Sequence, residues 1–228
     1  MSQKLRQLTR PSHIIIDGPI GAGKTTFGEC LAKRFNGVHV KEPVTNDPYL
    51  PRLYDFIDGN KKEAHVPLVM QYWLLIMRML QNQWVAHAVA VEGITHIQDR
   101  YILLDRAFQS MFKGREISEE DYEILQDVMS RVLRVLPRPD IVIGLRVTPQ
   151  IACERRERRA RDFERPVTVD YLIALDEAYE RVGWPTLRKM GLLLEIDWNA
   201  DLDTDNDGNL IEIPEPIIEQ IINHIEAS

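Results

Sequence analysis

Cysteine is scarce in this chain: there are two, Cys30 and Cys153, in 228 residues. Both fall inside segments that read as helices. Two isolated thiols exclude a disulfide framework and point to a reducing compartment, the cytoplasm. An excess of positive charge is also missing. The 28 Lys and Arg against 35 Asp and Glu leave a net charge of -7, which argues against a general nucleic-acid binder, because neutralising phosphates takes basic surface. No apolar run reaches the length of a membrane span, and the best, Val66 to Leu80, is interrupted by Gln71 and Arg78. The N-terminus carries Lys4, Arg6 and Arg10 without an apolar core. It does not read as a secretory signal, and residues 1–11 are expected to be a flexible terminus. Internal repeats and low-complexity tracts are absent. The length suits one full α/β core and is short for two, so residues 1–228 read as a single domain.

What is present is organised around Gly18 to Thr26, GPIGAGKTT. The apolar run His13 to Asp17 before it reads as a short buried strand, and Phe27 to Phe35 after it as a helix. Strand, glycine loop and helix are the context in which G-x-x-x-x-G-K-[ST] marks a phosphate-binding loop. Gly18, Gly23, Lys24 and Thr25 fill its fixed positions, with Gly21, Ala22 and Thr26 completing the cradle. Glycines let backbone N–H groups close around phosphate oxygens, and the helix N-terminus adds partial positive charge. Lys24 is expected to reach the outer phosphates of a nucleoside triphosphate and the Thr25 hydroxyl to bind Mg²⁺.

Further strands are expected at Val38 to Lys41, Ile94 to Gln98, Ile141 to Leu145 and Leu192 to Asp197. Helices are expected at Tyr49 to Ile57, Pro67 to Ala90, Leu103 to Phe112, Ser118 to Leu136, Thr148 onward, Thr168 to Arg181 and Glu215 to Ile225. Alternating β and α segments with short apolar strands predict a five-stranded parallel sheet covered by helices on both faces. The helix from Pro67 is apolar nearly all round, which suits a buried or interface helix. Gln71 and Arg78, seven residues apart, share one of its faces.

Glu42 follows the second strand and Asp99-Arg100 the third, at the sheet edge where open α/β folds place ligands. Phosphoryl transfer asks for positioning, neutralised charge and a group to take the acceptor's proton. A carboxylate and an arginine beside a phosphate loop meet that need. Five arginines lie in the seven residues Arg155 to Arg161. Beside such a loop they read as a mobile lid, spanning about 155–165, that excludes water and stabilises spread negative charge.

With these residues in view, the chain resembles the deoxyribonucleoside kinases over about residues 13 to 225. The likeness rests on GPIGAGKTT, Glu42-Pro43-Val44, Gln71 with Arg78, Asp99-Arg100, the lid, and Pro166 to Leu172 with Tyr179-Glu180. The resemblance implies a P-loop kinase fold and ATP-dependent phosphorylation of a deoxyribonucleoside 5′-hydroxyl. It implies that Glu42 is the general base and that Arg100 contacts the hydroxyl and the transferred phosphoryl. Asp99 would help hold Mg²⁺ through water, and Gln71 would pair with the base edge. Tyr54 and Glu164 would hold the 3′-hydroxyl and Phe108 would stack on the base. Arg155, Arg159 and Arg161 would be the lid arginines. Arg78 with Asp105 accompanies purine deoxynucleoside or deoxycytidine use in this group, with purine deoxynucleosides favoured. The family also implies a homodimer through helices of the Pro67 region.

Two departures stand out: Asp99-Arg100-Tyr101 replaces the family's usual Glu-Arg-Ser, and Asp58 to Val66 is longer than expected. DRY with Ala107-Phe108-Gln109 is also similar to thymidylate kinases, whose acceptor is a nucleoside monophosphate. A nucleotide-binding switch without catalysis is the alternative from another class. Asp203 to Gly208 begins like an EF-hand loop, but its twelfth position is Pro214, where a bidentate Glu is required. It reads as a solvated loop, which the resemblance would place near the adenine of ATP.

Overall fold

A computed structural model describes residues 6–42, 47–59, 63–159, 164, 166–199 and 212–227. Five parallel strands, β1 (His13–Asp17), β2 (Val38–Val40), β3 (His96–Asp99), β4 (Ile141–Arg146) and β5 (Leu193–Asp197), form one sheet in the order β2-β3-β1-β4-β5. Every residue of β1 and β3, and all of β4 but its last, is buried. Successive side chains point to opposite faces, so both faces are covered, as the unbroken apolar runs required. In register, Ile14 sits between Ile97 and Ile141 at the centre of the core. The chain leaves β1 toward one edge of the sheet and leaves β3 toward the other. The crevice at their carboxyl ends is therefore where a ligand is received.

The helices are α1 (Lys24–Arg34), α2 (Leu50–Ile57), α3 (Val66–Glu92), α4 (Asp105–Phe112), α5 (Glu119–Val135), α6 (Pro149–Arg159), α7 (Val169–Ala178), α8 (Trp184–Met190) and α9 (Glu215–Glu226). Local chemistry sets their ends. Ser118 caps α5 by accepting from the Asp121 amide at 3.0 Å, and Thr168 caps α7 by accepting from Tyr171. Left-handed Gly93 stops α3. α3 is not buried all round: Met70, Gln71, Leu74, Arg78, Asn82 and Val85 face inward, while Ile76, Leu80 and Trp84 lie half exposed on the other side.

Two details depart from the expected elements. The segment before α4 is a 3₁₀ turn, Ile102–Leu104, which puts Asp105 in the first helical turn, where a negative charge is favoured. The helix expected to stop at Arg181 instead passes through one π-helical turn, Tyr179–Gly183, into α8. Gly183 and Pro185 fall where the π-turn meets α8, the point at which the regular amide-to-carbonyl ladder is already interrupted. Near the N-terminus, Arg6 pairs with Glu219 and Glu226 of α9. Arg161, Pro43-Val44 and Asp203 to Gly208 lie outside the described residues.

Candidate active site

The glycine loop is shaped by backbone that other residues resist. Gly21 has φ +82°, and a Cβ there would lie 2.0 Å from the Ala152 carbonyl oxygen of α6. Gly23, at φ +87°, is the left-handed residue from which α1 starts. The first amides of a helix have no acceptor within it, so those of Lys24, Thr25 and Thr26 are available to phosphate oxygens. Lys24 is buried and donates to the carbonyls of Gly18 at 3.0 Å and Pro19 at 2.8 Å. Burial and the nearby Arg100 lower its ammonium to about 7, despite Asp17, Glu42 and Asp99. A bound polyphosphate would reverse that balance.

Thr25 donates its hydroxyl to Asp99 Oδ2 at 2.8 Å, and Asp99 Oδ1 meets His39 Nε2 at 3.0 Å. A hydroxyl and a carboxylate side by side at a phosphate loop suit a hard cation such as Mg²⁺. Among the described residues no cluster of three His, Cys, Asp or Glu could hold a metal without other ligands. The remaining ligands would be water and phosphate, the mode in which Mg²⁺ is usually held.

Across the loop lies a network of opposite charges. Arg78, from α3, donates to Glu42 Oε1 at 2.5 Å and approaches Asp105 Oδ2 at 2.8 Å through Nε. Arg100 Nε lies 3.4 Å from Glu42. Burial would raise the Glu42 carboxyl, but Arg78, Arg100 and Lys24 outweigh it and hold it down at about 2. Burial prevails at Asp105 and pushes it up to about 7, against the pull of Arg78 and Arg100.

Arg100 has φ +69°, a left-handed conformation costing a non-glycine residue about 1–2 kcal/mol. Its surroundings fix it there. Its amide donates to Ile16, the Gln98 side chain donates to its carbonyl at 3.1 Å, and the next amide, Tyr101, donates to Asp17 at 2.7 Å. Gln98 in turn accepts from His13 Nε2 at 3.0 Å. Burial keeps the His13 ring near 4 and so neutral, which leaves that nitrogen to carry the proton. The Arg100 side chain donates to Gly18 O at 3.1 Å and Tyr179 Oη at 2.8 Å, and its guanidinium lies 4.9 Å over the Phe108 ring.

Gln71 and Arg78 are both buried on the inner face of α3, and Gln71 Oε1 has no partner among the described residues. A buried amide oxygen left open is a demand for a ligand or a water. Tyr54 and Glu164 are buried as well, and burial, with Tyr171 and Glu164 nearby, pushes the Tyr54 phenol well above its usual range. The two described arginines expected to belong to a lid have different partners. Arg155 donates to the Trp198 carbonyl, whose ring lies beside Gly23, whereas Arg159 pairs with Glu164 at 2.5 Å.

Sequence reasoning passed over Asp17, His39 and Gln98, and noted Tyr179 within the family resemblance but gave it no role in the site. The signal for Asp17 was available: a charged residue ending an apolar strand and entering the loop must be paired, and its side chain is fully buried. His39 and Gln98 gave no such signal, since His39 meets Asp99 of β3 and Gln98 meets His13 of β1.

The family model for deoxynucleoside kinases matches residues 14–225. A deoxyadenosine kinase of Dictyostelium discoideum is 31% identical over 202 residues, which is 88% of this chain and 78% of the relative. A deoxyadenosine/deoxycytidine kinase of Bacillus subtilis (strain 168) is 27% identical over 228 residues, 97% of each chain. The solved structure of deoxyadenosine kinase from M. mycoides with bound dCTP is 25% identical and superposes with a TM-score of 0.69, covering 95% of this chain and all of the other.

Proposed function

This chain belongs to the deoxynucleoside kinase family, and from that footing we propose that it transfers the terminal phosphoryl group of ATP to the 5′-hydroxyl of a purine deoxynucleoside, with deoxycytidine next in preference. It is an enzyme that phosphorylates deoxynucleosides. The observation that carries the finer reading is the Glu42–Arg78–Asp105 chain set against Arg100 beside the glycine loop.

In this reading the loop and Lys24 bind the donor's phosphates. Mg²⁺, held near Thr25 and Asp99, would neutralise charge on the phosphate oxygens. Glu42 takes the proton of the 5′-hydroxyl as its oxygen forms a bond to the γ-phosphorus and the bond to ADP breaks. A carboxylate near 2 is a weak base. Phosphates that draw Lys24 and Arg100 toward themselves would relieve Glu42 of two of the three cations depressing it, and so make it more basic. Arg100 neutralises the transferring group, with Arg155, Arg159 and Arg161 closing over it.

Gln71 offers an oxygen and an amino group to a base edge. The Arg78–Asp105 pair would crowd a thymine methyl, Phe108 would stack on the base, and Tyr54 with Glu164 would receive the 3′-hydroxyl. The names of the relatives from Dictyostelium and Bacillus support a purine or deoxycytidine acceptor. The thymidylate kinase alternative rests on Asp99-Arg100-Tyr101 with Ala107-Phe108-Gln109; of these, Tyr101 is buried in the core, its phenol pushed up to about 12 by burial.

The half-exposed row Ile76, Leu80 and Trp84 on α3 supports a homodimer through this face, testable by sedimentation. Cys30 and Cys153 are in no disulfide, in keeping with a cytoplasmic enzyme. Among the described residues no helix is long and apolar enough to cross a membrane. The test of the proposed base is Glu42→Gln. It should lower kcat by about 10²–10⁴ while nucleoside binding, measured by calorimetry, persists. An unchanged kcat would remove Glu42 from that role.

A further inference from the structure

We infer that His39 is the positioning residue for Asp99, holding its carboxylate at the angle at which it meets the divalent cation of the bound nucleotide. The inference rests on the reading of Asp99 as the cation-holding carboxylate. His39 lies in the middle of β2, and its Nε2 is 3.0 Å from Asp99 Oδ1 at the end of β3. The other carboxylate oxygen accepts from Thr25 at 2.8 Å. Both side chains are largely buried, at 7% and 3% exposure. Asp99 is therefore gripped from two elements, with one oxygen fixed by the imidazole and the other turned to the glycine loop.

Helix α1 is shaped around this ring. A Cβ on Gly28 would lie 2.5 Å from His39 Nε2 and 2.7 Å from Cδ2. Glycine inside a helix costs about 1 kcal/mol relative to alanine, and the closeness of the imidazole accounts for its use. His39 Nδ1 is buried without a partner among the described residues. The polar contact made by the ring is thus directed at Asp99, and the carboxylate on the other side makes Nε2 the protonated nitrogen. Groups that orient a metal-holding side chain typically change cation affinity about 10- to 100-fold when removed.

The test uses Mn²⁺ as the probe, titrated by electron paramagnetic resonance into the protein with a non-hydrolysable ATP analogue. His39→Ala should weaken Mn²⁺ binding about 10-fold, and His39→Gln, whose amide can donate from a similar reach, should recover most of it. Gly28→Ala provides an independent route, because alanine favours the helix while its methyl displaces the ring, and it should weaken Mn²⁺ in the same sense. Nucleotide affinity without metal should stay as in the wild type. Asp99→Asn separates the two levels of the argument. Wild-type Mn²⁺ affinity in His39→Ala and Gly28→Ala beside a weakened Asp99→Asn would overturn the role of His39 alone. No change in any of them would overturn the reading of Asp99 and the inference together.

Discussion

The donor and acceptor sides proposed for this site are built by different means. The donor side is one contiguous stretch, Gly18 to Thr26, and its shape is a property of backbone: left-handed glycines, a carbonyl strap on Lys24, and the open amides of α1. The acceptor side is built from side chains that converge from distant elements. Glu42 comes from the end of β2, Gln71 and Arg78 from α3, Arg100 from the end of β3, and Asp105 and Phe108 from α4. Its shape is a balance of buried charges, and no member of it would sit where it does without the others. A backbone cradle serves any polyphosphate. A side-chain network can be retuned residue by residue, so identity of the acceptor belongs there.

The contrast can be broken first at the residue that touches both sides. Arg100→Lys keeps a positive charge but loses the fork that reaches Gly18, Tyr179 and Glu42 at once. We expect kcat to fall about 10²–10³, with smaller changes in either KM. A loss confined to the KM for ATP would make Arg100 a donor-side residue only.

How much was legible follows the same division. The strands and the loop could be read because their signals are local, such as Ile14-Ile15-Ile16 before Gly18. Glu42 and Asp99-Arg100 could be placed at the sheet edge by strand order alone. The pairing of Arg78 with Glu42 could not, since it joins residues 36 positions apart and depends on how α3 lies against the sheet. Only the family resemblance assigns Arg78, Asp105, Tyr54 and Glu164 to the proposed acceptor side. The left-handed Arg100, with Gln98 and His13 behind it, left no trace in composition or spacing. Neither did the π-helical turn that joins α7 to α8.

Gly21→Ala sharpens the comparison from the donor side. Its methyl has no room against the Ala152 carbonyl, so we expect a KM for ATP raised at least about 10-fold and a melting temperature lowered by several degrees, the scale of a 1–3 kcal/mol loss. Nucleoside binding measured without ATP should stay close to wild type. Equal damage to both would mean that the two sides are not separable.

Gln71→Leu probes the acceptor side in the same way. Removing a buried hydrogen-bonding partner should lower kcat/KM for the preferred nucleoside about 10- to 100-fold and leave the KM for ATP unchanged. Uniform loss across all bases would assign Gln71 a packing role instead.

The smallest effect concerns charge balance and stability. The Glu42 carboxyl lies near 2 in the folded chain against an ordinary 4.5. A depressed acid contributes stability that is present above about 4.5 and lost as pH falls through about 2. Urea unfolding of Glu42→Gln should therefore show a shallower decline over that window than the wild type. Parallel declines would mean that Arg78 and Arg100 do not hold the carboxylate as described.

The central claim is that the acceptor side selects a deoxynucleoside hydroxyl. It is tested most directly by measuring kcat/KM with ATP for deoxyadenosine, deoxyguanosine, deoxycytidine and thymidine beside the corresponding 5′-monophosphates. The account predicts turnover of a purine deoxynucleoside at the highest kcat/KM, deoxycytidine next, thymidine lower, and none of the monophosphates. Efficient phosphorylation of thymidine 5′-monophosphate, or no turnover of any nucleoside, would contradict it.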